Sequence, residues 1–293
     1  RGGSVSSSAS SLRELMRVAA ARLHAAGSTS PRVDAEYLLL HVLKKTPVWL
    51  RTHDEVRLHA QEEERFESLL RRRLQGEPVA YITGTRGFWS LDLAVNASTL
   101  IPRPDTELLV EFALEKLPLQ QPARVLDLGT GSGAIALAVK TERPVSEVTA
   151  LDVSAAALEV AQGNARRLDL DVEFLLSNWF AAVEGRRFDL LLANPPYIDP
   201  DDEHLGQGDL RFEPLNALVS SAQGLQDLRR IITAAPAYLL PGGWLALEHG
   251  YDQGAAVRAL LEQNGFIEVG TQQDLGGQDR ISVGCLPETP HAE

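Results

Sequence analysis

The stretch Arg124-Val125-Leu126-Asp127-Leu128-Gly129-Thr130-Gly131-Ser132-Gly133-Ala134-Ile135-Ala136-Leu137-Ala138-Val139 decides the fold. Its first five residues form a short, mostly apolar run of the length and β-branched content of a buried strand, and its last six carry a helical pattern. Three glycines at alternate positions join the two. They permit positive φ and close approach of the backbone, and the free N–H groups at the helix start can receive an anionic group. Two cofactor classes use a strand, glycine turn and helix of this kind. Dinucleotide folds favour G-x-G-x-x-G with a pyrophosphate at the helix. The tighter D-x-G-x-G-x-G pattern, with an acid near the strand tip, fits Asp127 to Gly133 without a mismatch. Read as a dinucleotide loop, the third glycine would be Ala134, a tolerated variant, so the loop alone leaves both classes open.

The following strands narrow the choice. Val148-Thr149-Ala150-Leu151-Asp152 ends in an acid one βαβ step after the glycines, where ribose hydroxyls lie in such folds. Glu173-Phe174-Leu175-Leu176 runs into Ser177-Asn178-Trp179-Phe180, which offers an amide and an aromatic surface to an adenine. The apolar run Phe188-Asp189-Leu190-Leu191-Leu192-Ala193 closes on Asn194-Pro195-Pro196-Tyr197. Each proline holds the residue before it extended, so the Asn194 side chain and the Pro195 carbonyl can point the same way. Two adjacent acceptors suit one NH2 group, and the Tyr197 ring can cover its plane. Successive strand ends thus supply a loop for an amino acid moiety, a ribose acid, an adenine pocket and a planar-amine cup.

At these residues the chain resembles class I S-adenosylmethionine-dependent methyltransferases, and among them the release-factor glutamine methyltransferases of the HemK/PrmC type. Further shared segments extend the resemblance over nearly the whole chain: Glu77–Gly84, Leu100-Ile101-Pro102-Arg103-Pro104-Asp105-Thr106-Glu107, Glu248-His249-Gly250 and Asp274–Arg280. The N-P-P-Y tetrad is shared with nucleic-acid amino-methyltransferases, whereas the I-P-R-P-D-T-E segment is more particular. The family commonly has Asp where this chain has Asn178.

The resemblance implies S-adenosylmethionine as methyl donor, S-adenosylhomocysteine as product, and a class 1 peptide-chain release factor as substrate, methylated on the glutamine of its Gly-Gly-Gln tip. The cofactor set is then Asp127, Gly129, Thr130, Gly131, Ser132, Gly133, Asp152, Asn178, Trp179 and Asn194. Asn194, Pro195 and Tyr197 are the expected catalytic residues, and Arg103 and Pro196 join them in holding the substrate. The amide nitrogen is a weak nucleophile, so positioning is the expected lever. No metal is expected, because the histidines, including His204 and His249, lack ligand spacing, and His249 reads as a structural hydrogen-bonding residue. The alternative substrate is an exocyclic amine of a nucleobase in DNA or RNA. A dinucleotide-dependent oxidoreductase is the remaining reading, and it leaves the tetrad unexplained.

Composition supports a globular enzyme. The 293 residues suffice for one large α/β domain and a small accessory one, and 44% hydrophobic with 23% charged residues is ordinary for such a chain. No apolar run reaches membrane-spanning length. A single cysteine, Cys285, excludes an internal disulfide and reads as a buried strand thiol. These features predict a cytoplasmic monomer that contacts neither membrane nor nucleic acid. Charge sharpens the last point. Residues 11–85 carry 12 Lys/Arg against 10 Asp/Glu, while residues 86–293 carry 15 against 30, a field that repels phosphate backbones. The Arg71-Arg72-Arg73 run reads as a solvated helix face.

The expected organisation is a flexible tail over 1–10, a helical substrate-recognition bundle over 11–85, a hairpin linker over 86–99, a Rossmann-like doubly wound methyltransferase domain over 100–286, and a tail over 287–293. Ser11 and Glu14 predict a capping box, Ser30-Pro31 a helix start, and Gln61 to Leu74 a further helix. Phe88 to Val95 alternates like a strand. Trp244–Glu248, Phe266–Val269 and Arg280–Cys285 are expected as the last strands, the final two antiparallel.

Overall fold

The computed structural model describes residues 10–288. The expected tails lie outside them, apart from Ser10, Pro287 and Glu288. The chain divides between Gly84 and Thr85 into two compact units.

The first unit is helical: α1 (Leu12–Ala25), α2 (Pro31–Leu43), α3 (Pro47–Thr52), α4 (Ala60–Leu74) and α5 (Val79–Thr83). Leu12, Leu23, Leu38, Leu39, Phe66 and Leu70 are buried at its centre. The Ser11 side chain caps α1 by accepting from the Glu14 amide at 3.3 Å. Only half of the capping box forms, because the Glu14 carboxylate turns outward to Arg17. The short α3 and α5 hold too few residues to show a period. The arginine run is not a uniform solvated face. Arg71 is exposed, whereas Arg72 pairs with Glu77 and Arg73 with the buried Asp34 at 2.9 Å. Burial of Asp34 selects the third arginine as its partner, since an unpaired buried carboxylate is costly.

The second unit opens with the hairpin β1 (Thr85–Phe88) and β2 (Leu91–Ala94). The alternation over Phe88–Val95 therefore includes a turn, at Trp89 with φ 56°, and the first strand starts earlier than the pattern suggested. The hairpin packs into this unit, where Asn164 bonds both the N–H and the C=O of Ala94. Then follow α6 (Glu107–Lys116), β3 (Arg124–Leu128), α7 (Ala134–Glu142), β4 (Glu147–Asp152), α8 (Ala155–Leu168), β5 (Glu173–Leu176), β6 (Phe188–Ala193), the short turn α9 (Ser221–Gly224), α10 (Gln226–Ala234), β7 (Leu239–Glu248), α11 (Gly254–Gln263), β8 (Ile267–Gln273) and β9 (Asp279–Cys285).

Seven strands form one sheet in the order β5-β4-β3-β6-β7-β9-β8. The first five are parallel, and β9 runs antiparallel to both β7 and β8. This is the doubly wound, Rossmann-like arrangement expected from the βα alternation. Successive residues face opposite sides: Val125, Leu190 and Leu192 pack under α6 and α7, while Leu126, Leu191 and Leu245 pack against α10 and α11. β7 begins at Leu239 and carries Pro241-Gly242-Gly243 within it, with a register shift opposite Phe188–Leu190. Cys285 is buried on β9. Among the described residues no helix is long and apolar enough to cross a membrane.

Strand order reverses between β3 and β6, because the chain proceeds outward through β4 and β5 and returns on the other side of β3. In open sheets of this kind ligands bind beyond the carboxyl ends of the strands at that reversal.

Candidate active site

The glycine loop sits at that reversal and is built from its own backbone. Gly129, Gly131 and Gly133 have φ of 71°, 57° and 88°. At Gly133 a side chain would be doubly excluded, since a Cβ would also lie 3.1 Å from Leu137 Cδ1 and 3.3 Å from Ala161 Cβ, so the glycine lets α7 and α8 close up. Asp127 lies fully buried beneath the loop and accepts from Thr130 Oγ1 at 2.7 Å, while its Oδ1 has no hydrogen-bond partner. Burial raises its pKa to about 7; the Thr130 hydroxyl opposes the rise and the Asp152 charge adds to it.

Asp152, at the end of β4, accepts from the Gly131 amide and from the Ser154 amide, each at 2.9 Å. Each carboxylate oxygen keeps a further lone pair, so the group can tie down the loop and still receive sugar hydroxyls. Trp179, at φ 49°, stands against the loop, with its Cζ3 4.0 Å from where a Cβ on Gly129 would be. Asn178 beside it is exposed.

These groups line a cavity of about 270 Å³ that includes Gly129 to Ser132, Asp152, Asn178, Trp179, Asn194 and Pro196. Its size, aromatic wall and ribose-compatible acid fit S-adenosylmethionine. Asp127 and Gly133 shape this cavity from behind rather than lining it.

A second cavity, of about 130 Å³, shares Leu100, Asn194 and Ala217 with the first. Pro195, Tyr197, Arg103 and Glu248 also line it. Asn194 thus stands on the wall between the two spaces. Pro196, expected with the substrate, faces the larger cavity instead. Arg103 is a wall and not a free charge: its guanidinium makes a bidentate pair with Glu213, at 2.7 and 2.8 Å. Glu213 has a fully buried side chain, and burial raises its pKa against the pull of Arg103.

Glu248 on the smaller cavity's wall, Thr106 on the larger cavity's wall and Gln253 behind Tyr197 went unassigned in the sequence. The Tyr197 hydroxyl donates to Glu248 Oε1 at 2.9 Å, and Thr106 Oγ1 donates to Glu248 Oε2 at 2.6 Å. Gln253 Nε2 donates to the Tyr197 carbonyl at 3.0 Å. Thr106 and Glu248 belong to shared segments without a stated role, and that was the available signal. Asn216 and Ala217 come from a segment of short 3-10 turns without periodicity, which gave no signal, and Asp227 stands on the polar side of α10. His249 is buried, bonded to Gly250 O and Ser282 Oγ, and its pKa is lowered by burial. Among the described residues no three metal-ligating side chains cluster.

Comparison with known proteins bears on the family and the fold. Residues 14–84 match the family model of the PrmC N-terminal domain, and residues 105–208 that of the methyltransferase small domain. The chain is 54% identical over 268 residues to the release factor glutamine methyltransferase of Xylella fastidiosa (strain Temecula1), covering 91% of this chain and 98% of that one. It is 47% identical to the Escherichia coli (strain K12) protein of the same name, covering 92% and 96%. Among solved structures, a methyltransferase from Pyrococcus furiosus superposes with a TM-score of 0.53 at 18% identity, covering 75% of this chain and 99% of that one, which supports the fold.

Proposed function

The chain belongs to the release factor glutamine methyltransferases, and from that premise we propose that it methylates the side-chain amide nitrogen, N5, of the glutamine in the Gly-Gly-Gln motif of class 1 peptide-chain release factors. It is an S-adenosylmethionine-dependent enzyme. The observation that carries the reading of the site is the position of Asn194 on the wall shared by the two cavities.

S-adenosylmethionine supplies an electrophilic methyl group on a sulfonium. Asp152 and Trp179 hold the nucleoside, and the loop from Gly129 to Ser132, backed by Asp127, holds the amino acid end. Asn194 Oδ1 and the Pro195 carbonyl accept the two hydrogens of the substrate amide and aim its nitrogen at the shared wall. Tyr197 covers the amide plane. Such orientation is worth up to about 7–11 kcal/mol in well-aligned systems. No charged base belongs to the tetrad, so the amide proton passes to water during or after transfer.

The helical unit, which matches the PrmC N-terminal domain, serves as the grip on the folded release factor. We read the enzyme as a monomer that does not contact nucleic acid, because its second unit, by charge, favours a basic protein face over a phosphate backbone. The test is mass spectrometry of release factor and of nucleic acid after incubation with isotope-labelled S-adenosylmethionine. Label on the Gly-Gly-Gln glutamine is expected; label on nucleobases alone would sink the assignment.

A further inference from the structure

Tyr197 is held at both ends by residues far from it in sequence. Its carbonyl accepts from Gln253, which also donates to Gln223 O at 3.1 Å. Gly224 closes the same side: a Cβ there would fall 1.9 Å from the Tyr197 carbonyl oxygen, at φ 81°. Its hydroxyl donates to Glu248, which also receives the Thr106 hydroxyl. The Arg280 guanidinium directs a donor at the Tyr197 phenol oxygen, lies within electrostatic reach of Glu248 and is itself paired with Asp274 at 3.4 Å and Asp105 at 3.8 Å, so one lone pair of the phenol is left for the cavity.

Burying a carboxylate to bond two hydroxyls is a poor route to stability. An apolar side chain of similar volume would serve as well, and a buried charge is costly even when paired. Glu248 is 2% exposed, and burial raises its pKa while the two hydroxyls and Arg280 oppose the rise. What the carboxylate supplies is direction. The one hydrogen of the Tyr197 hydroxyl is spent on Glu248, so the phenol oxygen can meet the smaller cavity only as an acceptor. The ring is also fixed in rotation by a bond at its far tip.

We infer that Glu248, seconded by Thr106, is a positioning residue that fixes Tyr197 as a rigid, hydrogen-accepting cover over the substrate amide. This rests on the glutamine-amide reading of the smaller cavity. The segments around Thr106, Glu248 and Arg280 thereby gain one shared purpose: they converge on the phenol of the tetrad.

The experiment uses the full chain, a Gly-Gly-Gln peptide and intact release factor, with steady-state kinetics beside calorimetric titration of S-adenosylmethionine. Wild-type methylation of the release factor is the control for the functional reading itself; its failure would remove that reading before any variant is considered. In Glu248→Leu, which removes both acceptors, kcat/KM for the peptide is expected to fall about 10- to 100-fold, the range of a small misplacement near the chemistry. Cofactor affinity should stay within twofold. Tyr197→Phe should show the same defect, and the double variant should be no worse than the worse single one, since both remove one interaction. Full multiplication of the two defects, a parallel loss of cofactor affinity, or a Tyr197→Phe enzyme within twofold of wild type would each overturn the inference. If Glu248→Leu does not fold, Tyr197→Phe decides: it must show the peptide-only defect, and a near-normal kcat/KM overturns the inference.

Discussion

The two cavities on either side of Asn194 are built in opposite ways. The larger, of about 270 Å³, is made mostly at the ends of β3, β4 and β5, with most of its groups in the short runs 128–135, 151–157 and 177–179 and the rest from residues 98–106, the tetrad, Asn216, Ala217 and Asp227. Many of its contacts are backbone amides and glycine conformations, so local sequence determines them. The smaller, of about 130 Å³, is assembled from the 100–103 segment, the tetrad, residues 210–218 and Glu248. Its shell is tied by side chains: Arg103 to Glu213, Tyr197 to Glu248, Gln253 to Tyr197. A cofactor common to many enzymes can be held by a local loop. A particular substrate needs walls, and here the walls come from across the chain.

The comparison breaks first at the one side chain the cavities share most directly. Asn194→Ala removes an acceptor aimed at the reacting nitrogen. By analogy with the loss of one aimed donor in an oxyanion hole, kcat should fall about 10²–10³-fold. Because the larger cavity keeps its loop, Asp152 and Trp179, cofactor affinity should change far less than turnover. Single-turnover kinetics with calorimetry measures both. Near-normal turnover in a folded variant would mean that the cavities do not meet chemically at Asn194.

The same contrast explains what was legible in the sequence. The strand–glycine–helix stretch, Asp152 and the tetrad could be placed because each motif sits at the end of an apolar strand whose neighbours follow from right-handed βα connections. Arg103 could be assigned to the substrate region but not understood, since its partner Glu213 lies 110 residues away in a stretch of short 3-10 turns. Glu248 and Thr106 stood in motifs whose purpose appears only when β7, β9 and the segment before α6 come together. Hairpin and helix ends shifted where a residue could serve two patterns, as when Trp89 turns within an unbroken alternation. Local chemistry can be read from spacing, whereas side-chain pairs across the fold require the topology first.

A smaller effect sharpens the contrast from the cofactor side. Asp152→Ala should weaken S-adenosylmethionine binding by about 1–3 kcal/mol, the cost of leaving buried polar groups unpaired, or about 5- to 150-fold in Kd. The structure adds a second contribution: the Gly131 and Ser154 amides lose their acceptor, so the loop itself loosens. The KM for a Gly-Gly-Gln peptide at saturating cofactor should stay near that of wild type, because no wall of the smaller cavity is touched. Calorimetry gives the first quantity and initial rates the second. Equal losses in both would show that the glycine loop governs the smaller cavity as well.

The finest test is a proton count. Asp127 is raised from 3.8 to about 7 in the folded protein, chiefly by burial. Below pH of about 4 it is protonated both folded and unfolded; between about 4 and 7 the folded chain holds a proton that the unfolded chain has lost. Its contribution to stability therefore falls as pH rises through that window and is level above it. A cationic ammonium bound in the cavity in front of Asp127 favours its charged form and lowers the pKa, so binding near pH 6 should release up to one proton. Titrations in two buffers of different ionisation enthalpy measure that release, which should vanish in Asp127→Asn. Glu248 is also a buried carboxylate with a raised pKa, yet it belongs to the smaller cavity, so Glu248→Gln should leave the release unchanged. A release that survives Asp127→Asn and disappears in Glu248→Gln would show that the two cavities share one electrostatic unit, and the division drawn between them would fail.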